Sequence, residues 1–247
     1  MDLSTTDIEA VAEVIATAGE DVVTAYRGAG PQSPDVVSPE LLTQALQQFV
    51  DIARRLEADT GPGPGGEPKQ EDITELGDHA LSLLQDLGQW ATQLQRPEAG
   101  QRIEALAVPV ALWTARRGGW INELEPVVNA LAALANATQD PGELAGLSRA
   151  MDEITAAVGP TLRQDLDRSE PGRPWRILNL NHGIVATRSQ DPPLMRAAFD
   201  ELVQNLPDDA PAFFAEGMQQ MDALDYPEPV REVMENYHRR FVVKTLH

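Results

Sequence analysis

At 247 residues with 39 acidic against 19 basic side chains, the chain carries a net charge of −20, and a field of that sign repels DNA, RNA and anionic lipid. The absence of cysteine excludes disulfide staples, thiolate nucleophiles and cysteine-ligated zinc. Hydrophobic residues make up 42% and aromatics only 5%, so Ala and Leu carry much of the apolar load, which favours helices over strands.

The opening, MDLSTTDIEA, has neither a basic start nor an apolar run, so no signal peptide is expected. No stretch approaches the roughly 18 apolar residues of a membrane span. The expectation is a cytoplasmic, bacterial-type protein without membrane or nucleic-acid partners. Ile8, Val11, Ile15, Val22 and Tyr26 recur at steps of three and four, predicting a first helix capped by the Ser/Thr run before Asp7. Ser38-Pro39-Glu40 opens a second, through Leu42, Leu46, Phe49 and Leu56 to about Ala58. The stretch TGPGPGGEPKQ can be neither helix nor strand and reads as a mobile linker. Downstream, Ile73 to Leu94 form an amphipathic helix, and Pro97 to Gly118 another that Pro109 should kink. Trp120 to Thr138, Asp140-Pro141 to Val158, and a short segment through Leu162 and Leu166 continue the series. Helices from about Trp175, Pro192, Pro211 and Pro227 complete it. The prediction is an all-α chain of about ten helices with no sheet. It divides into an N-terminal helical pair (1–58), a linker (59–71) and a helical-hairpin domain (72–247).

Gly183 and Gly217 stand 34 residues apart in matching helical contexts, each followed by a proline-opened helix. Overlaid, Met195, Arg196, Phe199, Asp200 and Leu202 meet Val230, Arg231, Met234, Glu235 and Tyr237. A two-helix period in the mid-thirties is the pattern of stacked helical hairpins. Gly183, Phe199 and Pro207, with Phe213 and Gly217, resemble a degenerate tetratricopeptide-type repeat. Trp113, Trp120 and Pro141 fit its aromatic and proline spacings, with Arg117 where a small residue is usual. Met195 and Pro229 stand where alanine is usual, Ala186 replaces a tyrosine, and the first 58 residues show no match. The resemblance implies a right-handed α-solenoid of antiparallel hairpins that binds a protein or peptide along its concave face.

Within Pro171–Gln190, which contains no acid, Arg173, Arg176 and Arg188 are the cations. On a helix, Arg176, Asn179, His182 and Ala186 share one stripe, while Ile177, Leu180, Ile184 and Val185 lie toward the core. If this is the first helix of a repeat, the stripe suits an acidic peptide or a chain terminus. The alternative is that these arginines pair with acids such as Asp152, Asp165 or Asp167. Trp113, Arg116, Arg117 and Trp120 form a second candidate patch, since Trp and Arg dominate binding hot spots; cations closing a helix and buried indoles are the structural account, and the favoured one. The tail YHRRFVVKTLH offers a self-association surface. His79, His182, His238 and His247 stand at no metal-ligand spacing, and no nucleotide-binding glycine loop or nucleophile elbow occurs. The predicted function is therefore non-enzymatic partner binding without a cofactor or metal, as a scaffold, adaptor or assembly chaperone. The rivals are a helical enzyme using His182 with a carboxylate, and a self-associating structural protein.

Overall fold

The computed structural model describes residues 7–29, 37–58, 68–166 and 168–243. Among them the chain is all-helical, as predicted. The order is α1 (Ile8–Gly28), α2 (Pro39–Ala58), α3 (Gln70–Gln93), α4 (Pro97–Ala105), α5 (Ala107–Arg116), α6 (Leu124–Ala137) and α7 (Pro141–Ala157). There follow α8 (Pro160–Arg163), α9 (Pro174–Arg188), α10 (Pro192–Asn205), α11 (Ala210–Ala223), α12 (Glu228–His238) and a π-helical turn, Arg239–Val243. No strand forms among the described residues, only an isolated parallel bridge between Ile121 and Val158. No helix among them is long and apolar enough to cross a membrane. The chain divides into two compact units, residues 3–133 with 157–159 and residues 134–156 with 160–247. That division falls inside α6. Most of the expected linker, residues 59–67, lies outside the described residues.

In the first unit, α1 buries Ile8, Val11, Ile15, Ala18 and Val22 on one stripe, and α2 buries Leu42, Leu46, Phe49, Val50 and Ala53. Complete burial of one such aliphatic side chain stabilises by roughly 1.5–3 kcal/mol. α1 packs on α2 and α4, and α2 packs on α3, so the N-terminal pair is integral to this unit. The cap of α1 is Asp7 itself, whose Oδ1 accepts from the amides of Glu9 (3.0 Å) and Ala10 (3.2 Å). Residues 4–6, expected to cap, lie outside the described residues.

Two predicted helices differ in ways the backbone explains. The helix from Pro97 is broken at Leu106 into α4 and α5. Pro109 has no N–H to donate to the carbonyl of Ala105, and its ring crowds that carbonyl, so the first helix stops there. α5 then ends at Gly118, whose φ of +79° is the left-handed stop that glycine adopts freely. The helix expected from Trp120 begins only at Leu124. Its preceding residues are held by α3 instead: the Trp120 amide donates to Thr74 Oγ1 at 2.8 Å. Asp78 accepts from the amides of Asn122 (2.9 Å) and Glu123 (3.2 Å) and from Asn122 Nδ2 (2.7 Å). Asp78 thus holds the two residues that lead into a helix beginning more than forty residues later in the chain.

The second unit is built on two helical hairpins. Asn205 Nδ2 donates to Asn179 Oδ1 at 2.8 Å, and His182 faces Glu201, so α10 runs back antiparallel along α9. Arg231 of α12 bonds Asp222 and the Met221 carbonyl at the end of α11, which fixes the second hairpin the same way. The core joins Ala186, Met195, Phe199, Leu202, Phe214, Met221, Val230 and Met234. The overlaid positions Met195 and Val230, and Phe199 and Met234, are all core residues. The two glycines are not equivalent, however. A Cβ on Gly183 would stand 2.6 Å from Phe213 Cζ of α11, whereas one on Gly217 would stand 2.6 Å from the Met234 sulfur of α12. α8 is also shorter than expected. It ends before Leu166, which is 81% exposed.

Gly146, inside α7, has nothing within 4 Å of where a Cβ would lie. Gly146→Ala should raise unfolding free energy by about 1 kcal/mol through helix propensity alone. Gly183→Ala should lower it by about 1–3 kcal/mol because the Phe213 ring must move. Urea denaturation of both variants checks the contrast.

Candidate functional site

α9 is buried almost all round. Trp175, Leu178, Asn179, His182, Gly183, Val185, Ala186 and Thr187 are each enclosed, so this helix must satisfy its polar groups inside the protein. Asn179 Nδ2 donates to the Trp175 carbonyl (2.8 Å) while its Oδ1 accepts from Asn205. Thr187 Oγ1 donates to the Gly183 carbonyl at 2.8 Å. The stripe of Arg176, Asn179, His182 and Ala186 therefore does not face an open surface. It faces α10 and the turn after it, because the partners of those groups are Asn205, Glu201 and Asp209.

The cations of this region are also engaged. Arg173 forms a two-pronged ion pair with Asp165, its Nη2 lying 2.8 Å from Oδ2, and Nη1 donates to the Glu170 carbonyl at 3.0 Å. Arg176 Nε donates to Asp209 at 2.8 Å and Nη1 to the Pro171 carbonyl at 3.1 Å. Arg168 pairs with Asp208 at 2.7 Å. These groups line a recess of about 320 Å³ in which three guanidiniums face three carboxylates. The pairing with Asp165 is the internal alternative that the sequence raised.

His182 Nδ1 stands 3.3 Å from Glu201 Oε2, yet Oε2 accepts no hydrogen bond and His182 is only 3% exposed. A carboxylate is within reach of the imidazole, but His182 does not line the recess around Asp165 and Arg173. Asp152 completes the cluster. Desolvation, then repulsion from Glu201, holds its carboxyl above the ordinary carboxylate value, with His182 opposing. Among the described residues no group of three His, Cys, Asp or Glu could hold a metal ion.

The tryptophan–arginine patch lies in the first unit. Trp113 is 1% exposed and packs edge-on against Phe49, with ring centroids 5.3 Å apart. Trp120 is half-buried, its amide tied to α3. Arg116 is the last residue of α5 and Arg117 its C-cap.

The feature open to a ligand was not predicted. A half-open groove of about 550 Å³ runs along α7, α9 and α11, floored by Leu144, Phe213, Met221 and Met234 and bordered by Ile184 and Leu224. Ile184 is 47% and Leu224 51% exposed, although the helical pattern had assigned Ile184 to the core. An exposed isoleucine carries no mark in sequence that separates it from a buried one. Of the expected site residues only Arg188 lines this groove. Its two terminal nitrogens donate to the carbonyls of Ala135 and Thr138 at 2.8 Å each, closing the C-terminal end of α6 as cations commonly do.

The fold and its groove define an all-α protein of two helical units, and the comparisons go no further. No family model, curated protein or solved structure matches the chain.

Two outcomes follow from the polar clusters. Asp165→Asn keeps a residue tolerant of the left-handed backbone (φ +47°) but leaves Arg173 short of its main counter-ion. It should cost about 2 kcal/mol in denaturant unfolding. Because the fold holds the Asp152 carboxyl above its ordinary 3.8, ionising it costs stability as pH rises past the folded value. Asp152→Asn should therefore raise Tm at neutral pH. The gain should shrink as pH falls through 3.8 and vanish well below it, where the carboxyl is protonated folded and unfolded alike; thermal melts across that range check the sign.

Proposed function

We propose that this protein binds a protein or peptide segment without chemical turnover, and that the groove of α7, α9 and α11 is where it does so. The observation that carries the reading is a half-open groove in which apolar side chains, with Ile184 and Leu224 half exposed at the edge, lie among amides and carboxylates. Half-exposed aliphatic side chains gathered at one concave site offer a partner apolar contact alongside hydrogen-bonding groups. Support for a helical-hairpin array comes from the antiparallel α9–α10 and α11–α12 pairs and from the shared core positions of the overlay. In this reading α9 and α11 are the first helices of successive pairs, the layer that faces a ligand in the resembled repeats. The buried stripe of α9 then holds the array together, while partner contact falls to the opposite face of the same helix. His182 is read as structural, because an imidazole only 3% exposed has little surface to offer a substrate.

A double variant, Ile184→Asp with Leu224→Asp, should reduce capture of the native partner from cell extract roughly tenfold or more, since buried apolar anchors dominate such interfaces. Leu41→Asp, on an exposed residue of α2, is the control and should capture normally. Retention of the partner by the double variant, with helicity unchanged, would refute the groove.

A further inference from the structure

The groove has a chemical preference as well as a shape. Its carboxylates, Glu216 and Asp225, make no ion pair or side-chain hydrogen bond among the described residues. The one cation among the lining residues, Arg188, is held by the carbonyls of α6 and keeps its charge, so two carboxylates stand against one guanidinium and the lining is net negative. Three amides at the edge, Gln139, Gln190 and Gln220, likewise have side chains without a hydrogen bond among the described residues. The groove thus presents unpaired negative charge, idle amide donors and acceptors, and apolar floor together. Of the arginines that favoured an acidic partner, Arg173 and Arg176 are already paired with Asp165 and Asp209.

Resting on the groove reading, we infer that the occupant is a basic, aliphatic peptide segment. Its leucine- or isoleucine-type side chains sit between Ile184 and Leu224, and its arginines pair with Glu216 and Asp225. Free glutamine amides can bond a peptide backbone whatever its sequence. Arginine matches a carboxylate in a two-pronged way that lysine cannot. Charge therefore selects the partner and apolar burial supplies most of the affinity.

The test uses the full chain and three fluorescent hexapeptides of one pattern, Leu-X-Leu-Leu-X-Leu, with X as arginine, glutamine or glutamate. Anisotropy should show the arginine peptide binding at least about tenfold more tightly than the glutamine peptide, and no binding of the glutamate peptide. Glu216→Gln and Asp225→Asn should each weaken the arginine peptide roughly threefold, the scale of a rim ion pair. The decisive control is Ile184→Asp. It adds negative charge, so attraction to the acidic surface in general must rise, whereas capture in the groove must fall.

Equal binding of the arginine and glutamine peptides, abolished by Ile184→Asp, would overturn the charge preference and leave the groove standing. Arginine-peptide binding that Ile184→Asp strengthens or spares would overturn both, as would no binding of any peptide at millimolar concentration. A doubling of molecular mass without peptide, undispersed by it, would assign the groove to a second copy and overturn the inference.

Discussion

The second unit depends on the burial of α9. A helix closed in on nearly every side cannot leave an amide or imidazole to water, and each polar group on it needs a partner within the protein. Asn179 and Thr187 find theirs in α10 and in the helix's own backbone, while His182 is set against the Glu201 carboxylate of α10. Their partners fix the register of the hairpin, because Asn205 and Glu201 meet them only if α10 runs antiparallel at that offset. Gly183 adds the steric half of the same constraint, letting Phe213 approach where any side chain would hold it away.

The groove is the complement of that packing. On the remaining face of α9, Ile184 borders the groove and keeps almost half its surface. Methionines at the floor suit such a place. Met221 and Met234 are unbranched and polarizable and can shift to fit side chains of different outline. A surface with fixed charges at its edge and adaptable sulfur beneath can be selective about charge and tolerant about shape.

Much of the fold was legible in the sequence, since capping and proline chemistry are local. Ser38-Pro39, Asp140-Pro141 and Asp191-Pro192 each open a helix where the pattern placed one. The errors came where a distant group took over a local role. Trp120 to Glu123 read as helix because nothing nearby reveals that Asp78 and Thr74 hold their amides. Pro109 signalled a kink, while the extent of the break depended on how α4 and α5 pack separately on α3. The candidate site was the least legible part. A row of Arg, Asn and His on one helical stripe looks like a surface. Asp165, Asp209, Asn205 and Glu201, which enclose it, come from segments whose approach only the folded chain specifies.

The tie between Asp78 and the start of α6 has a consequence for how the molecule breathes and assembles. The amides of Asn122 and Glu123 are protected by a carboxylate on α3, so their hydrogens can exchange with solvent only when that tie opens, not by simple fraying of a helix end. In the reverse direction, the residues leading into α6 gain this hold only after the intervening loop has closed. The chain must therefore commit the entropy of that closure before the residues that follow Glu123 can nucleate a stable helix there.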